Sequence, residues 1–176
     1  MLHRTQKTVL LDSAAYRASM SKMAGAVSIV STDGSAGIRG VTVSAVVSVS
    51  DNPPTMLVCL NQNREENRFF KRNGCFAIST LCAVQAPLAR AFAGEADMTM
   101  QQRFALGHWR ILQSGAPVLV GARMSLDCII TDVQSIHTHF VIIGEVVAKG
   151  ETRDEPALIF LERGYREIGG GEASKL

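Results

Sequence analysis

The sequence predicts a single, mainly β domain, an antiparallel β-barrel with peripheral helices. The chain has 176 residues, which is enough for one domain of ordinary size and short for two. Strand candidates outnumber helix candidates, and they follow one another in runs instead of alternating with helices, a pattern that favours an antiparallel barrel over a doubly wound sheet. Because 47% of the residues are hydrophobic and only 19% are charged, the chain can bury a core, and disorder is excluded for most of it.

The first third of the chain predicts one helix followed by three strands. Asp12 is a capping residue ahead of apolar residues at helical spacing, and Gly25 ends that helix. After a first strand and a turn, a long strand is predicted from Gly40 to Ser50, ending before Pro53-Pro54 because proline cannot donate to a sheet ladder. A third strand covers Thr55 to Leu60.

The remainder predicts two helices and then mostly strands. One helix begins at Asn63 and ends at Asn73-Gly74, and another runs from Gln85 to Ala93 with a proline in its first turn. The polar segment from Gly94 to Arg103 is predicted to be irregular. The later strand candidates are Cys75 to Leu81, Trp109 to Leu112, Arg123 to Val133, Thr138 to Val147 and Ala157 to Phe160.

Charge and hydropathy narrow the possible partners. The 18 Lys and Arg residues against 16 Asp and Glu give a net charge of +2, which argues against binding to nucleic acid. Apolar stretches such as Phe140 to Ile143 are too short to span a membrane. The mean hydropathy of +0.14 is high for a soluble monomer and indicates apolar surface that is buried against a partner subunit or a bound ligand.

Cysteine spacing and the two termini predict a cytoplasmic protein with reduced thiols. The four cysteines form no C-x-x-C pair, and the first residues lack the apolar run of a secretory signal. The closing Ser174-Lys175-Leu176 matches a peroxisomal address, which we interpret as coincidental. No metal is predicted, since His137 and His139 have no third ligand near them in sequence.

The sequence lacks the motifs of several enzyme classes, but two of its segments could bind a ligand. No dinucleotide fingerprint, P-loop or nucleophile elbow is present, and Gly34 to Gly40 leads into a strand as a hairpin loop. Three hydroxyl residues on one predicted strand face could hydrogen-bond a flat, heteroatom-rich ring: Thr42, Ser44 and Ser48. Arg64, at the start of the next helix, could hold a phosphate. An ordinary edge strand followed by an amphipathic helix is the alternative interpretation.

Gly40 to Pro54 and its continuation, Met56 to Asn61, resemble the short-chain flavin reductases, the reductase components of two-component flavin monooxygenases such as the 4-hydroxyphenylacetate system. The Ser-Val-Ser-x-x-Pro-Pro stretch is the most specific part, and the resemblance extends from about Tyr16 to Ile168. It implies an FMN-binding split barrel of the Greek-key type that normally forms a homodimer. The domain would cover residues 15–168, between an N-terminal extension, 1–14, and a flexible tail, 169–176.

The resemblance also implies a set of binding residues. Four would lie along the isoalloxazine ring: Thr42, Val43, Ser44 and Ala45. Two would lie near the ribityl chain, Ser48 and Val49, and four would hold the phosphate: Asn61, Asn63, Arg64 and Asn67. Three would close over the flavin: Phe92, Ala93 and Gly94. His139 would border the nicotinamide as the one candidate for a catalytic role, with Tyr165 beside that pocket. In this sequence His137 replaces a glycine of the family motif.

The activity implied by the resemblance is transfer of a hydride from NADH or NADPH to FMN or FAD, with the reduced flavin handed to a separate monooxygenase. The cofactors carry this chemistry, so no protein general base is required. Three alternatives stay open: a flavin-dependent reductase of a corrinoid such as cob(II)yrinic acid a,c-diamide, a non-catalytic flavin-binding module, and a structural barrel without a cofactor.

Overall fold

The computed structural model describes residues 10–169, and twelve strands dominate that part of the chain. The Ser174-Lys175-Leu176 tripeptide and most of the two predicted terminal segments lie outside the described residues. The helices are α1 Ser13–Met20, α2 Arg68–Asn73, α3 Ala86–Ala93 and α4 Met100–Phe104, with single 3-10 turns at Glu65–Asn67 and Ala83–Gln85. The strands are β1 Gly25–Ala26, β2 Ser28–Thr32, β3 Arg39–Val43, β4 Val46–Asp51, β5 Pro54–Asn61, β6 Cys75–Thr80, β7 Trp109–Ile111, β8 Pro117–Leu119, β9 Met124–Ile136, β10 His139–Lys149, β11 Ala157–Leu161 and β12 Gly164–Ile168.

A seven-stranded antiparallel sheet forms the body of the domain, in the order β3-β2-β6-β9-β10-β5-β4. A three-stranded sheet, β1-β11-β12, and the β7-β8 hairpin complete the structure. The predicted antiparallel barrel with peripheral helices is therefore confirmed. No helix among residues 10–169 is both long enough and apolar enough to cross a membrane.

The large sheet curls until its two edges meet. Strands β3 and β4 are the opposite edges, with five strands between them, yet only two residues, Ser44 and Ala45, join them along the chain. Cα atoms three residues apart, such as those of Val43 and Val46, can be no more than about 11 Å apart. The adjoining ends of the two edge strands must therefore lie close together without pairing, and we call the gap between these strands the split of the barrel.

Two apolar clusters stabilise the two sides of the sheet. The first fills the barrel around Phe70 and Phe76, both fully buried. The second lies outside the barrel under α3 and α4, where the rings of Phe92, Phe104 and Trp109 meet at centroid distances of 4.7 to 5.7 Å. Burial of such large side chains contributes roughly 1.5–3 kcal/mol each, so the second cluster fixes α3 against the sheet.

Two sequence predictions about local structure are wrong. The strand predicted from Gly40 to Ser50 is two strands, β3 and β4, separated at Ser44-Ala45. The mixture of valine and hydroxyl residues fits a strand throughout, and only the closure of the sheet imposes the break. The segment predicted to be irregular contains α4, which begins after Thr99 in a reciprocal capping box with Gln102, at 3.2 and 2.8 Å.

Other predicted boundaries hold with small shifts. Asp12 caps α1 through bonds from the backbone N–H groups of Ala14 and Ala15, but the helix ends at Met20, before Gly25. The helix predicted from Asn63 begins as the 3-10 turn and becomes α2, which ends at the left-handed Gly74 as expected.

Candidate functional site

A cleft of about 510 Å³ opens at the split of the barrel. Its walls are the end of β3 with the two-residue break, the end of β5, the start of β10 and the end of α3. Eleven residues that the sequence analysis selected line this cleft: Thr42, Val43, Ser44, Ala45, Asn61, Arg64, Asn67, Phe92, Ala93, Gly94 and His139. Six further lining residues were not selected: Arg39, Val41, Cys59, Leu60, Glu66 and Arg103.

One side of the cleft, which we call the β3 wall, consists of residues 41–45 and carries no charge. The hydroxyl of Thr42 donates to the carbonyl oxygen of Ala89 in α3 at 2.7 Å, so this side chain fastens the wall to the helix. The carbonyl oxygen of Ala45 accepts from the backbone N–H of Cys59 at 3.1 Å. Burial raises the pKa of the Cys59 thiol, which keeps that group neutral at physiological pH.

The end of α3 overhangs the β3 wall. Phe92 is only 2% exposed, and its ring lies in the outer aromatic cluster, whereas Ala93 and Gly94 are exposed above the cleft. Gly94 adopts a left-handed conformation, with φ of 85°, that ends the helix. Phe92 is thus an anchor for the overhang, and the two small residues after it leave room for a ligand.

The other end of the cleft, the basic end, brings together Arg39, Arg64, Arg103 and the single carboxylate Glu66. Arg39 donates from Nε to Oδ1 of Asn67 at 3.0 Å, and Asn67 donates from Nδ2 to the carbonyl oxygen of Asn61 at 2.8 Å. Asn67 is 2% exposed, and its amide oxygen and nitrogen are both hydrogen-bonded to other groups of the protein. Asn67 therefore positions Arg39.

Among the described residues, no side-chain ion pair neutralises the arginines at the basic end. Burial lowers the pKa of Arg39, and Arg103 and Arg64 lower it further, while Glu66 raises it. An arginine stays protonated nonetheless. Within residues 10–169, the four ion pairs between side chains involve none of the three arginines of the cleft. Three guanidinium groups beside one carboxylate make this end a site for an anion.

His139 lies at the rim of the cleft, where β10 begins opposite Asn61 of β5. Its Nδ1 is 2.8 Å from the hydroxyl of Thr138, which fixes the ring and leaves Nε2 available. His137 has no such position: it occupies the hairpin turn between β9 and β10 with φ of 49°, and its carbonyl oxygen accepts from the side chain of Gln62. His137 does not line the cleft.

Tyr165 lines a separate, smaller cavity of about 210 Å³. This cavity lies along the β3 wall and shares Thr42, Val43, Ser44 and Ala93 with the main cleft. The ring of Tyr165 meets Phe160 edge-on at 5.4 Å, and the guanidinium of Arg90 lies 4.9 Å from its centre. Burial, followed by Glu95, raises the pKa of Tyr165, and Arg90 opposes that rise.

Three selected residues lie outside both cavities of the single chain. Ser48 and Val49 are exposed on the edge strand β4, Val49 to 52%. Asn63 donates its backbone N–H to Oδ1 of Asn61 at 2.9 Å, so it supports a residue of the cleft without lining it. Their roles near the ribityl chain and the phosphate stay predictions.

Arg39 and Arg103 were missed because nothing local marks them. Arg39 begins a strand beside the glycine-bearing hairpin loop, and Arg103 belongs to the segment predicted to be irregular. They meet only because α4 packs beside β3. No local sequence pattern connects either arginine to the candidate phosphate helix.

Comparison with known proteins identifies relatives of the chain. The family model described as "Flavin reductase like domain" matches residues 20–169. A protein of Methylorubrum extorquens (strain PA1) named FMN reductase (NADH) RutF 2 is 44% identical over 158 residues, which is 90% of this chain and 91% of the relative.

Two solved structures share the fold along most of the chain. One is the NADH:FAD oxidoreductase SgcE6 of Streptomyces globisporus C-1027 in complex with NAD and FAD fragments, with 26% identity, a TM-score of 0.81 and coverage of 94% of this chain and all of the other. The second is the styrene monooxygenase flavin reductase of Pseudomonas putida S12, with 25% identity, a TM-score of 0.74 and coverage of 88% and 97%.

Proposed function

The chain belongs to the flavin reductase-like family, and we propose that it is an NADH-dependent reductase of FMN or FAD whose flavin occupies the cleft at the split of the barrel. The observation that carries the proposal is the basic end, with three arginines and no ion-pair partner among the described residues, closing a cleft of about 510 Å³. A flavin mononucleotide has a flat, uncharged ring at one end and a phosphate at the other, and the cleft matches this order.

Different residues of the cleft bind the ring and the phosphate of the flavin. The β3 wall offers backbone groups and small side chains to the ring, and the overhang at Ala93 and Gly94 covers it from the side of α3. Arg39, held by Asn67, together with Arg64 and Arg103, binds the phosphate. The roles proposed for Ser48 and Val49 near the ribityl chain require the second subunit, since both are exposed on a free sheet edge.

Bound flavin supplies the chemistry, because it accepts a hydride from the reduced nicotinamide of NADH or NADPH. The protein holds the two rings in line and excludes water from between them. His139, with Nδ1 fixed by Thr138 at 2.8 Å, offers Nε2 to the nicotinamide carboxamide. Backbone N–H groups of the β3 wall would stabilise negative charge on the reduced ring.

We also propose that the protein is a cytoplasmic homodimer that hands reduced flavin to a separate monooxygenase. Several apolar side chains stay exposed on β4 and β9: Val47 at 54%, Val49 at 52%, Ile129 at 45% and Ile136 at 47%. Exposed apolar side chains of this kind, two of them on the free edge strand β4, favour a subunit interface. All four cysteines are free thiols, as expected in a reducing compartment, and the name of the Pseudomonas relative refers to a monooxygenase.

The visible absorption spectrum of purified protein, recorded with FMN before and after anaerobic addition of NADH, tests the activity. We expect the visible absorbance of the oxidised flavin to bleach catalytically. Tight retention of flavin without bleaching would contradict the reductase and favour the binding module. Repeating the assay with cob(II)yrinic acid a,c-diamide as the acceptor tests the corrinoid alternative.

A further inference from the structure

Glu66 is the single carboxylate at the basic end of the cleft. It belongs to the 3-10 turn Glu65–Asn67 and is exposed to solvent. It also lines a neighbouring cavity of about 440 Å³, which shares Arg39 and Arg103 with the cleft. Among residues 10–169, no side-chain ion pair includes Glu66. Glu66 therefore acts on the arginines through its electric field and is not the fixed partner of any of them.

Two of the arginines are held in place without help from Glu66. Arg39 donates from Nε to Oδ1 of Asn67 at 3.0 Å, and Arg103 donates from Nε to the carbonyl oxygen of Met98 at 3.2 Å. A guanidinium that is held through Nε still has two terminal nitrogens, whose donors match the oxygens of a phosphate. A carboxylate at position 66 is thus not needed to position these groups.

The positive charge at the basic end exceeds the charge of one phosphate. Three arginines line it, whereas a phosphate monoester carries about 1.5 to 2 negative charges at pH 7. Burial lowers the pKa of Arg39, and the Glu66 carboxylate raises it, so the field of Glu66 reaches this guanidinium. A negative charge that attracts the arginines must also repel a phosphate that binds beside them.

We propose that Glu66 is a specificity-determining residue that weakens the binding of the flavin phosphate, so that flavin exchanges between the cleft and solvent. The inference rests on the proposed function, since the phosphate belongs to the flavin in the cleft. Without Glu66, three unopposed guanidinium groups would retain FMN. With Glu66, FMN leaves readily, as the proposed delivery of reduced flavin to a separate protein requires.

Two neighbouring carboxylates provide a matched pair of variants. Glu66→Gln removes a charge that lines the cleft. Glu65→Gln removes the same charge one position away, from a side chain that is 84% exposed, lies outside both cavities and pairs with Arg68 at 3.2 Å. Glu66→Asp keeps the charge and shortens the side chain. We expect Glu66→Gln to lower the Kd for FMN about three- to tenfold and the other two variants to stay near the wild type.

Titration of each variant with FMN and with riboflavin, followed by flavin fluorescence, measures these dissociation constants. The Kd for riboflavin, which has no phosphate, should be the same in Glu66→Gln and in the wild type. The difference in the Kd for FMN should shrink as the salt concentration rises, because salt screens exposed charges. After dilution, FMN should leave Glu66→Gln more slowly by about the same factor.

Several outcomes would overturn the proposal. Unchanged or weaker binding of FMN by Glu66→Gln would show that Glu66 does not oppose the phosphate. Equally tighter binding of riboflavin would show an effect on the ring, and equally tighter binding of FMN by Glu65→Gln would show an effect of net charge alone. Absence of any flavin binding by the wild type would contradict the proposed function and the inference with it, whereas the variants test the inference alone.

Discussion

The two ends of the cleft are built in different ways. The β3 wall is uncharged, and its position depends on backbone pairing and on the buried aromatic cluster behind it, which approaches Gly40. The basic end depends on side chains, above all the Arg39 guanidinium that Asn67 holds at 3.0 Å. One end thus controls the shape of the site, and the other controls its charge.

This difference has consequences for substitution. Shape at the β3 wall is coupled to global stability, because Val41 and Val43 of the wall pack against the cluster that fills the barrel. Charge at the basic end can be removed while most of the packing remains, since Arg39 is only partly buried and the cleft lies beside it. Substitutions at the wall should therefore affect folding first, and substitutions at the basic end should affect phosphate recognition first.

Gly40→Ala is expected to have the largest effect. A Cβ there would lie 2.4 Å from Cε1 and 2.7 Å from Cδ1 of the Phe92 ring, which is buried and cannot move freely. We expect overpacking to cost about 2–3 kcal/mol of the free energy of unfolding and to displace α3 from the cleft, so that flavin affinity falls as well. Urea denaturation and flavin titration measure the two effects.

Phe92→Leu in the same chain provides the control for that steric argument. The smaller side chain should restore part of the stability lost in Gly40→Ala. If Gly40→Ala alone proved as stable as the wild type, the coupling between the wall and the outer core would be wrong.

Arg39→Ala is expected to remove charge from the basic end while leaving the shape of the cleft intact. Hydrogen bonds to charged groups contribute about 1.5–3 kcal/mol, so we expect the KM for FMN to rise about ten- to a hundredfold. The KM for riboflavin, which has no phosphate, should change little. The control is Arg72→Ala, which alters an exposed residue of α2 outside the cleft and should leave both KM values unchanged. Equal losses for FMN and riboflavin would show that Arg39 supports the fold of the cleft and does not recognise the phosphate.

His139→Ala is expected to weaken the binding of the nicotinamide substrate and to leave flavin binding nearly unchanged. Loss of one hydrogen bond of about 0.5–1.5 kcal/mol should raise the KM for NADH roughly two- to tenfold, with a smaller change in the KM for flavin. Steady-state kinetics with each substrate varied in turn measure this. Equal changes in both values would contradict the role assigned to the ring.

His137→Gly is expected to have the smallest effect and the opposite sign. A left-handed residue other than glycine costs about 1–2 kcal/mol, whereas glycine costs roughly 0.5–1 kcal/mol in chain entropy. We expect a gain of about 0.5–1 kcal/mol in the free energy of unfolding, with unchanged kinetics. Thr138→Gly, in the same turn but without a positive φ, should destabilise, and thermal unfolding compares the two. A loss of activity in His137→Gly would give His137 a role that its place outside the cleft does not suggest.

Sequence patterns anticipated the β3 wall better than the basic end. The wall is one continuous segment, residues 41–45, and its motif carries the family resemblance, so a local pattern contains most of the information. The basic end combines residues from β3, α4 and the 3-10 turn. The buried amide of Asn67 holds Arg39 and Asn61 through two hydrogen bonds, a positioning role that the sequence did not show, and its predicted contact with phosphate stays a prediction.

The sequence by itself determined the family, the antiparallel β class, most of the strands and the segments that line the cleft. These depend on periodicity, turn residues and a local motif, all of which act over a few neighbouring positions. Only the tertiary structure decided that the strand predicted from Gly40 to Ser50 divides between opposite sheet edges, and that Arg39 and Arg103 share one end of the cleft. Closure of a sheet and the meeting of like charges depend on contacts between distant parts of the chain, and a single sequence carries no local pattern for either.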